Sequence, residues 1–255
     1  MHNESFTTSP NIKTAHAFTT RHGGVSSGVY ATLNLGLSHG DDPGCLKENY
    51  AIISRALNIP NGSFVYSKQT HGTHIRLVTS ADSCQPIYPS TYEADGMLTM
   101  DSGLALVVFT ADCIPILLHD PTCGVIGAVH AGWRGTVAGI AGAAVKKMTQ
   151  EFGCDPANIK AAIGPGVSKC CYETGADVAS AMRAALGASA ETCLEPFGEK
   201  YKTDLKEANR LQLLRAGLCD IHVSSECTSC SNHKYWSHRK TDGPRGSQAA
   251  IIMLE

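Results

Sequence analysis

Three side chains in this sequence stand where a short apolar segment meets a polar or glycine-containing turn: His71 in KQTHG, Cys113 in FTADCIP and His130 in AVHAGWRG. Two imidazoles and a thiolate suit zinc. Three protein ligands leave a fourth position for water or substrate, as catalytic sites do and structural sites do not. An ion there lowers the pKa of a water toward ~7 and polarises an oxygen-bearing substrate. The same residues serve a second chemistry, with Cys113 as nucleophile, His130 as general base and a polar group orienting the imidazole. Spacing does not separate the two. Gaps of 42 and 17 residues form no zinc pattern, and taken alone they favour the plainer reading of packed or solvated side chains.

Other candidates surround these three. Asp112, next to Cys113, reads as a carboxylate supporting the ligand, as a general base, or as a turn residue. Arg134 and Arg21 offer guanidinium forks for an anionic group, against the alternative of surface or carboxylate-paired arginines. The loop RHGGVSSG at 21–28 lacks the Gly-Lys-Ser/Thr ending of a nucleotide P-loop, so its glycines read equally as a turn or as amides approaching an anion. Cys227-x-x-Cys230 with His233 is a third possible ligand group, but a single C-x-x-C without a partner pair reads as a surface loop. Cys170-Cys171 reads as structural, and Trp133 as a core anchor more readily than a base-stacking surface.

The elements that must position these groups follow from hydrophobic pattern. Leu104 to Phe109, Ile114 to Leu118 and Cys123 to Val129 are short apolar runs without helical period and predict buried strands. A helix is expected from Thr136, with Val137, Ile140, Ala141, Ala144, Val145 and Met148 on one face and Gly153 as its stop, which leaves Arg134 just before it. Upstream, 15–20 predicts a strand. Asp42-Pro43 predicts the cap of a helix with Leu46, Tyr50, Ile53 and Leu57 inward. Ser63 to Ser67 and His74 to Thr79 predict strands around the His71 turn, and 80–93 a loop. Downstream, IKAAIGPGVSKCCYE predicts a strand and a turn, and Thr174 to Leu186 a helix. A second helix is expected over Lys202 to Ala216, with Leu205, Ala208, Leu211 and Leu214 on a stripe. IHVSSE and Gln248 to Leu254 predict the last strands. The irregular alternation indicates one mixed α and β domain over 1–255.

Composition narrows the function. A chain of 255 residues with 43% hydrophobic content can bury a sizeable core. With 21 basic and 23 acidic residues, its net charge of -2 gives no electrostatic reason to expect nucleic acid or a membrane surface as partner. A small-molecule substrate fits better. No run reaches the ~18 apolar residues of a membrane span, and MHNESFTTSPNIK has no apolar signal-peptide core. The expectation is a cytoplasmic protein whose 11 cysteines are free thiols plus a metal ligand rather than a disulfide framework.

Taken together, TRHGGVSSGVYATLNLGLSHGDDP, QTHGTHI, EADGMLT, TADCIPILLHDP, IGAVHAGWRGTVAGI, IGPGVSKCCYE and WSHRK resemble the YfiH family of bacterial proteins. That family is also called the polyphenol oxidase or laccase-domain family and is described as purine nucleoside phosphorylases. The resemblance runs nearly end to end. It implies an α+β fold, a mixed β-sheet sandwich flanked by helices, shared with a bacterial deamidase toxin of cysteine-hydrolase type. It implies zinc on His71, Cys113 and His130. The activity it implies is phosphorolysis of adenosine and inosine to free base and ribose 1-phosphate, with 5′-methylthioadenosine cleavage and adenosine deamination beside it. Purine nucleosides and phosphate are then the partners. Arg21 and Arg134 become the cations nearest in motif terms for phosphate, and Asp112, as a catalytic residue, or Glu173, at the substrate, the carboxylate that would shuttle protons in deamination. The chain departs from the family pattern at Gly166, Val167 and Ser168, at Lys240, and at Ser247, where an arginine is usual and Arg245 stands two places earlier. A copper phenol oxidase is the rival that one family name suggests. Its multinuclear cluster needs paired His-x-His segments, and none of the 11 histidines lies two residues from another. Copper would then be incidental to a site that also accepts it.

Overall fold

Every residue of the segment Gln248–Met253 is buried, a condition a strand meets only when both faces of its sheet are covered. Its alternate side chains enter two different cores, Ala250 and Ile252 on one face and Ala249, Ile251 and Met253 on the other. The computed structural model describes residues 4–37, 40–60, 62–84, 90–241 and 243–255, and it builds the rest of the molecule around that pattern.

In chain order the strands are β1 (Phe6–Thr7), β2 (Ala15–Thr19), β3 (Phe64–Val65), β4 (Ile75–Leu77), β5 (Gly96–Thr99), β6 (Ala105–Thr110), β7 (Ile114–Asp120), β8 (Val125–Ala131), β9 (Lys160–Ile163), β10 (Glu173–Thr174), β11 (Leu194–Phe197), β12 (Lys200–Thr203), β13 (Asp220–Val223) and β14 (Gln248–Met253). The helices are α1 (Pro43–Leu57), α2 (Trp133–Val137), α3 (Ile140–Phe152), α4 (Ala176–Leu186), α5 (Ala190–Cys193) and α6 (Leu205–Arg215). Two large mixed sheets result, one ordered β1-β2-β14-β6-β3 and the other β13-β9-β7-β8-β5-β4, with a small third sheet β10-β12-β11.

The two large sheets face each other across Phe18, Val65, Leu106 and Val108 on one side and Met97, Leu117, Ile126 and Ala128 on the other. The outer face of the first sheet packs Val107, Ile251 and Met253 against Tyr50 and Ile53 of α1. The outer face of the second packs Ile116, Leu118 and Val129 against Ile140, Ala144 and Met148 of α3 and Leu205 and Leu213 of α6. The fold is therefore the expected α+β sandwich with helices on its outer faces. The strands expected over 104–109, 114–118 and 123–129 form as β6, β7 and β8, and α1 forms with Asp42 accepting from the Cys45 amide at its N-terminus.

Three helix expectations need correction. The helix expected from Thr136 is two helices, because Gly139 takes φ 86 between α2 and α3. Arg134 consequently lies in the first turn of α2 rather than before a helix. The helix expected over Thr174 to Leu186 begins at Ala176, since Glu173 and Thr174 pair with Lys202 and Tyr201 as strand β10. Likewise α6 begins only at Leu205, capped by Asp204, and Lys200–Thr203 is a strand. The buried stripe of α6 runs through Leu205, Ala208, Asn209 and Leu213, leaving Leu214 exposed. Of the loop expected over 80–93, residues 85–89 lie outside those described.

Candidate active site

The hairpin β7–β8 places two of the three candidate ligands by register alone. Ile114 pairs with Ala131 and Pro115 with His130, so Cys113, one residue before β7, comes beside the end of β8 that carries His130. Cys113 also closes the three-residue step from β6 in one large sheet to β7 in the other.

His71 arrives from the loop after β3. Beyond the last residue of β3 the Gln69 amide takes over the strand's pairing, donating to the Phe109 carbonyl at 2.8 Å and accepting from the Phe109 amide at 2.7 Å. Two residues on, His71 turns at φ 62. The amides of Thr70, His71 and Gly72 then converge on the carboxylate of Asp95, at 3.1, 2.9 and 2.7 Å. Asp95 Oδ1 also lies 2.8 Å from His130 Nδ1, and the Asp95 carbonyl accepts from the His130 amide. One fully buried carboxylate thus fixes both histidines and leaves His130 Nε2 turned to the third ligand, the usual second partner of a metal-ligating imidazole.

The ligand atoms of His71, Cys113 and His130 all lie within 4.8 Å of one another, and the two imidazoles meet edge to face at 4.9 Å between centroids. Gly132 makes this approach possible. A Cβ there would sit 2.5 Å from His71 Nδ1 and 3.3 Å from Cys113 Sγ, well inside van der Waals contact.

Electrostatics favour an ionised thiolate. Burial pushes the Cys113 thiol up, but the imidazoles of His130 and His71 outweigh it and pull the thiol down to about 6. Burial opposes charge on His130, and the Cys113 thiolate with Asp95 overcomes it, raising the imidazole to about 9. Asp95 is itself held down at about 2: burial raises it, while His130 and the Gly72 and Thr70 amides more than compensate.

A cavity of about 320 Å³ opens over the three ligands, within the range of small-molecule sites. Tyr66, Lys68, Gln69, Phe109 and Arg245 help to line it. Three buried polar atoms of its lining residues have no partner among the described residues: Ser67 Oγ, Thr110 Oγ1 and Arg245 Nε. Buried polar groups are rarely left unpaired, so these three atoms stand out among the residues of the lining.

The remaining candidates are not brought to that lining. Arg21 donates to the carbonyls of Asn232 at 2.9 Å and Ala31 at 3.1 Å, and its guanidinium lies 4.0 Å over the Trp236 ring. Exposed Arg134 stacks on Trp133 at 4.4 Å. Glu173 lies in β10, 4.0 Å from Lys200 Nζ, and its carbonyl accepts from the Arg239 guanidinium. Asp112 is buried at φ 95. Its oxygens accept from Thr228 Oγ1 at 2.6 Å and the Arg239 amide at 2.5 Å, which makes it the residue that fixes the turn carrying Cys113. Sequence reasoning missed Asp95 and left Arg245 without a role. The quoted EADGMLT contained the first, and the displaced arginine before the last strand signalled the second.

The profile of the family described as "Multi-copper polyphenol oxidoreductase laccase" matches residues 15–255. Among curated relatives, a protein of Deinococcus radiodurans named "Purine nucleoside phosphorylase" is 42% identical over 246 residues, covering 96% of this chain and 91% of that one. "Purine nucleoside phosphorylase YlmD" of Geobacillus stearothermophilus is 39% identical over 243 residues, covering 92% and 88%. The crystal structure of YlmD from Geobacillus stearothermophilus superposes with a TM-score of 0.89 at 38% identity, covering 94% of this chain and 92% of that one. That of the Bacillus licheniformis hypothetical protein YfiH gives 0.90 at 33% identity over the same shares. With the profile spanning nearly the whole chain, and relatives and solved structures agreeing end to end, the chain belongs to this YfiH or laccase-domain family.

Proposed function

We propose that this chain is a zinc-dependent purine nucleoside phosphorylase, with the ion held by His71, Cys113 and His130. The observation that supports this most is a shared volume: a thiolate and two imidazoles stand at the wall of a cavity whose lining also includes an arginine with an unpartnered buried nitrogen. Soft sulfur with two ring nitrogens is a donor set zinc accepts, and three ligands keep a position open to substrate. When bound, zinc supplies Lewis-acid chemistry at an oxygen of the attacking group or substrate.

The substrates we assign are adenosine and inosine with phosphate. A phosphate oxygen bonds to the anomeric carbon of ribose while that carbon's bond to the purine nitrogen breaks. The electron pair leaves with the base, which gains a proton, and ribose 1-phosphate remains. Arg245 offers its fork to phosphate oxygens. Tyr66 and Phe109, edge to face at 5.8 Å, offer apolar rings to the purine. Ser67 and Thr110 belong to the same lining. Asp95 keeps His130 in one orientation, and Asp112 holds the Cys113 turn. On this reading 5′-methylthioadenosine enters the same volume, and adenosine deamination is a separate step: a water oxygen bonds to the purine carbon bearing the amino group, that carbon's bond to the amino nitrogen breaks, ammonia leaves with the water's proton and inosine remains.

A metal-free Cys113–His130 hydrolase is the one rival that a specific observation favours, because Asp95 orients His130 as a third member would. Copper oxidation has less support. Among the described residues only one potential ligand group contains imidazoles, and it contains two. The 11 free thiols suit a reducing compartment such as the cytoplasm, and no helix among the described residues is long and apolar enough to cross a membrane.

The deciding experiment is chromatography of products after the zinc-loaded protein meets adenosine and inosine, with and without phosphate. Phosphate-dependent adenine and hypoxanthine are expected, and they should vanish on chelation. Inosine formed from adenosine without phosphate would make deamination the main reaction. Activity that survives chelation but not Cys113 alkylation would replace the proposal with the hydrolase.

A further inference from the structure

Beside Thr228, which holds the Asp112 carboxylate, four more cysteines converge. Cys170 and Cys171 lie in the turn after β9, and Cys227 and Cys230 in the segment after β13. Their Sγ atoms are all within 4.8 Å of one another, with Cys170–Cys230 at 3.5 Å, Cys171–Cys230 at 3.3 Å and Cys170–Cys171 at 3.8 Å. The single C-x-x-C therefore has a partner pair, the vicinal cysteines, 56 and 57 residues upstream of Cys227. Nor is its turn a plain surface loop, because Cys227, Thr228 and Ser229 are buried.

We propose that Cys170, Cys171, Cys227 and Cys230 form a second metal centre, holding one structural zinc ion. Zinc–sulfur bonds of ~2.3 Å in a tetrahedron set sulfurs about 3.8 Å apart, close to the separations present. A disulfide would need ~2.05 Å, and all four are free thiols. The surroundings are those of a thiolate site. The Ser168 amide donates to Cys227 Sγ at 3.4 Å, and the Ser229 and Cys230 amides point to the same sulfur. The ammonium of buried Lys206 ties both segments together through Ser168 Oγ, Ser224 O and Glu226 O, setting a positive charge near a centre that would carry excess negative charge. Cys170 and Cys230 are exposed, which gives the ion a way in as the thiols release their protons to solvent. Four protein ligands leave no open position, so this centre is closed where the His71, Cys113 and His130 site is open.

Its role is to clamp. β9 and β13 are parallel neighbours, and the segments following them are joined by the Thr228 amide on the Gly166 carbonyl at 3.2 Å. Those segments supply Val167, whose amide holds the Asp112 carbonyl, and Thr228, which holds the Asp112 carboxylate. The ion would lock together the two loops that fix the Cys113 turn.

The test is elemental analysis of the full chain, purified under reducing conditions, loaded with zinc and freed of loose metal. Two equivalents per chain are expected. The His71→Ala/His130→Ala protein should keep one and, with cobalt in place of zinc, show the intense visible bands of a tetrahedral tetrathiolate. The Cys227→Ser/Cys230→Ser protein should lose one equivalent. If that variant does not fold, the histidine variant decides alone, since its four thiols are intact. A histidine variant that binds no metal, or a native protein whose four cysteines are paired as disulfides, overturns the proposal. Neither result bears on nucleoside turnover, so this centre and the phosphorylase reading fail separately.

Discussion

Asp95 accepts from three consecutive amides and the Thr70 hydroxyl while holding His130, so a residue outside the cavity lining sets the geometry of two that belong to it. Its effect passes through His130 to Cys113, and pH reveals it. A thiol's nucleophile is its thiolate, and an ordinary thiol ionises near ~8.5. With Cys113 drawn down to about 6, the metal-free protein should carry a reactive thiolate throughout neutral pH and lose it only as pH falls through about 6. Alkylation at Cys113, followed by peptide mass spectrometry across pH, should give that midpoint, and His130→Ala should move it upward. A midpoint in the ordinary thiol range would refute the coupling. Spacing alone favoured packed or solvated side chains, and the metal role came from the family resemblance, but the three candidate ligands stood out in the sequence because each stands where an apolar segment meets a turn. Asp95 did not, since an acid in Glu-Ala-Asp-Gly looks like turn chemistry until His130 is placed opposite it by the pairing of β5 with β8. The arginines show the converse failure. Arg21 lies in a glycine-rich loop that suggests an anion, yet backbone carbonyls and an indole ring occupy it.

Among the elements, those built on a continuous apolar run were legible, because burial on both faces leaves a pattern that needs no knowledge of partners. β6, β7, β8 and β14 are of this kind. The small sheet β10-β12-β11 was not legible. Its members are two to four residues long and largely polar, so only their pairing makes them strands, and two helix starts were placed too early as a result. The break at Gly139 was hidden for another reason: the apolar positions continue in helical phase across it. That break can be tested cleanly. A Cβ at Gly139 meets nothing within 4 Å, so Gly139→Ala carries backbone strain alone at φ 86. Strain of this kind costs about 1–2 kcal/mol, and chemical denaturation should show that loss with metal content unchanged. No loss would mean that α2 and α3 can join without harm.

For the molecule as a whole, the candidate cavity sits on the seam between the two large sheets, where the chain steps from β6 to β7. Arg245 reaches it from the segment leading into β14, far from the ligands in sequence. On the proposed reading, Arg245→Gln should raise the KM for phosphate about tenfold or more, the range expected when a hydrogen bond to a charged group is lost, while zinc content stays at the wild-type value. Equal loss of zinc would mean that the arginine supports the metal instead of the anion. Phe109 and Thr110 belong to β6, and Tyr66 and Arg245 flank β3 and β14, all strands of one sheet. Cys113 and His130 belong to a hairpin of the other. On the proposed reading the recognition surface stands mostly on the first sheet and Cys113 and His130 on the second, with His71 joined to the first through Gln69 on Phe109 and to the second through Asp95. If that reading holds, side chains on the first sheet could be exchanged to admit a new purine or a bulkier sugar while Cys113 and His130 keep their anchorage on the layer beneath.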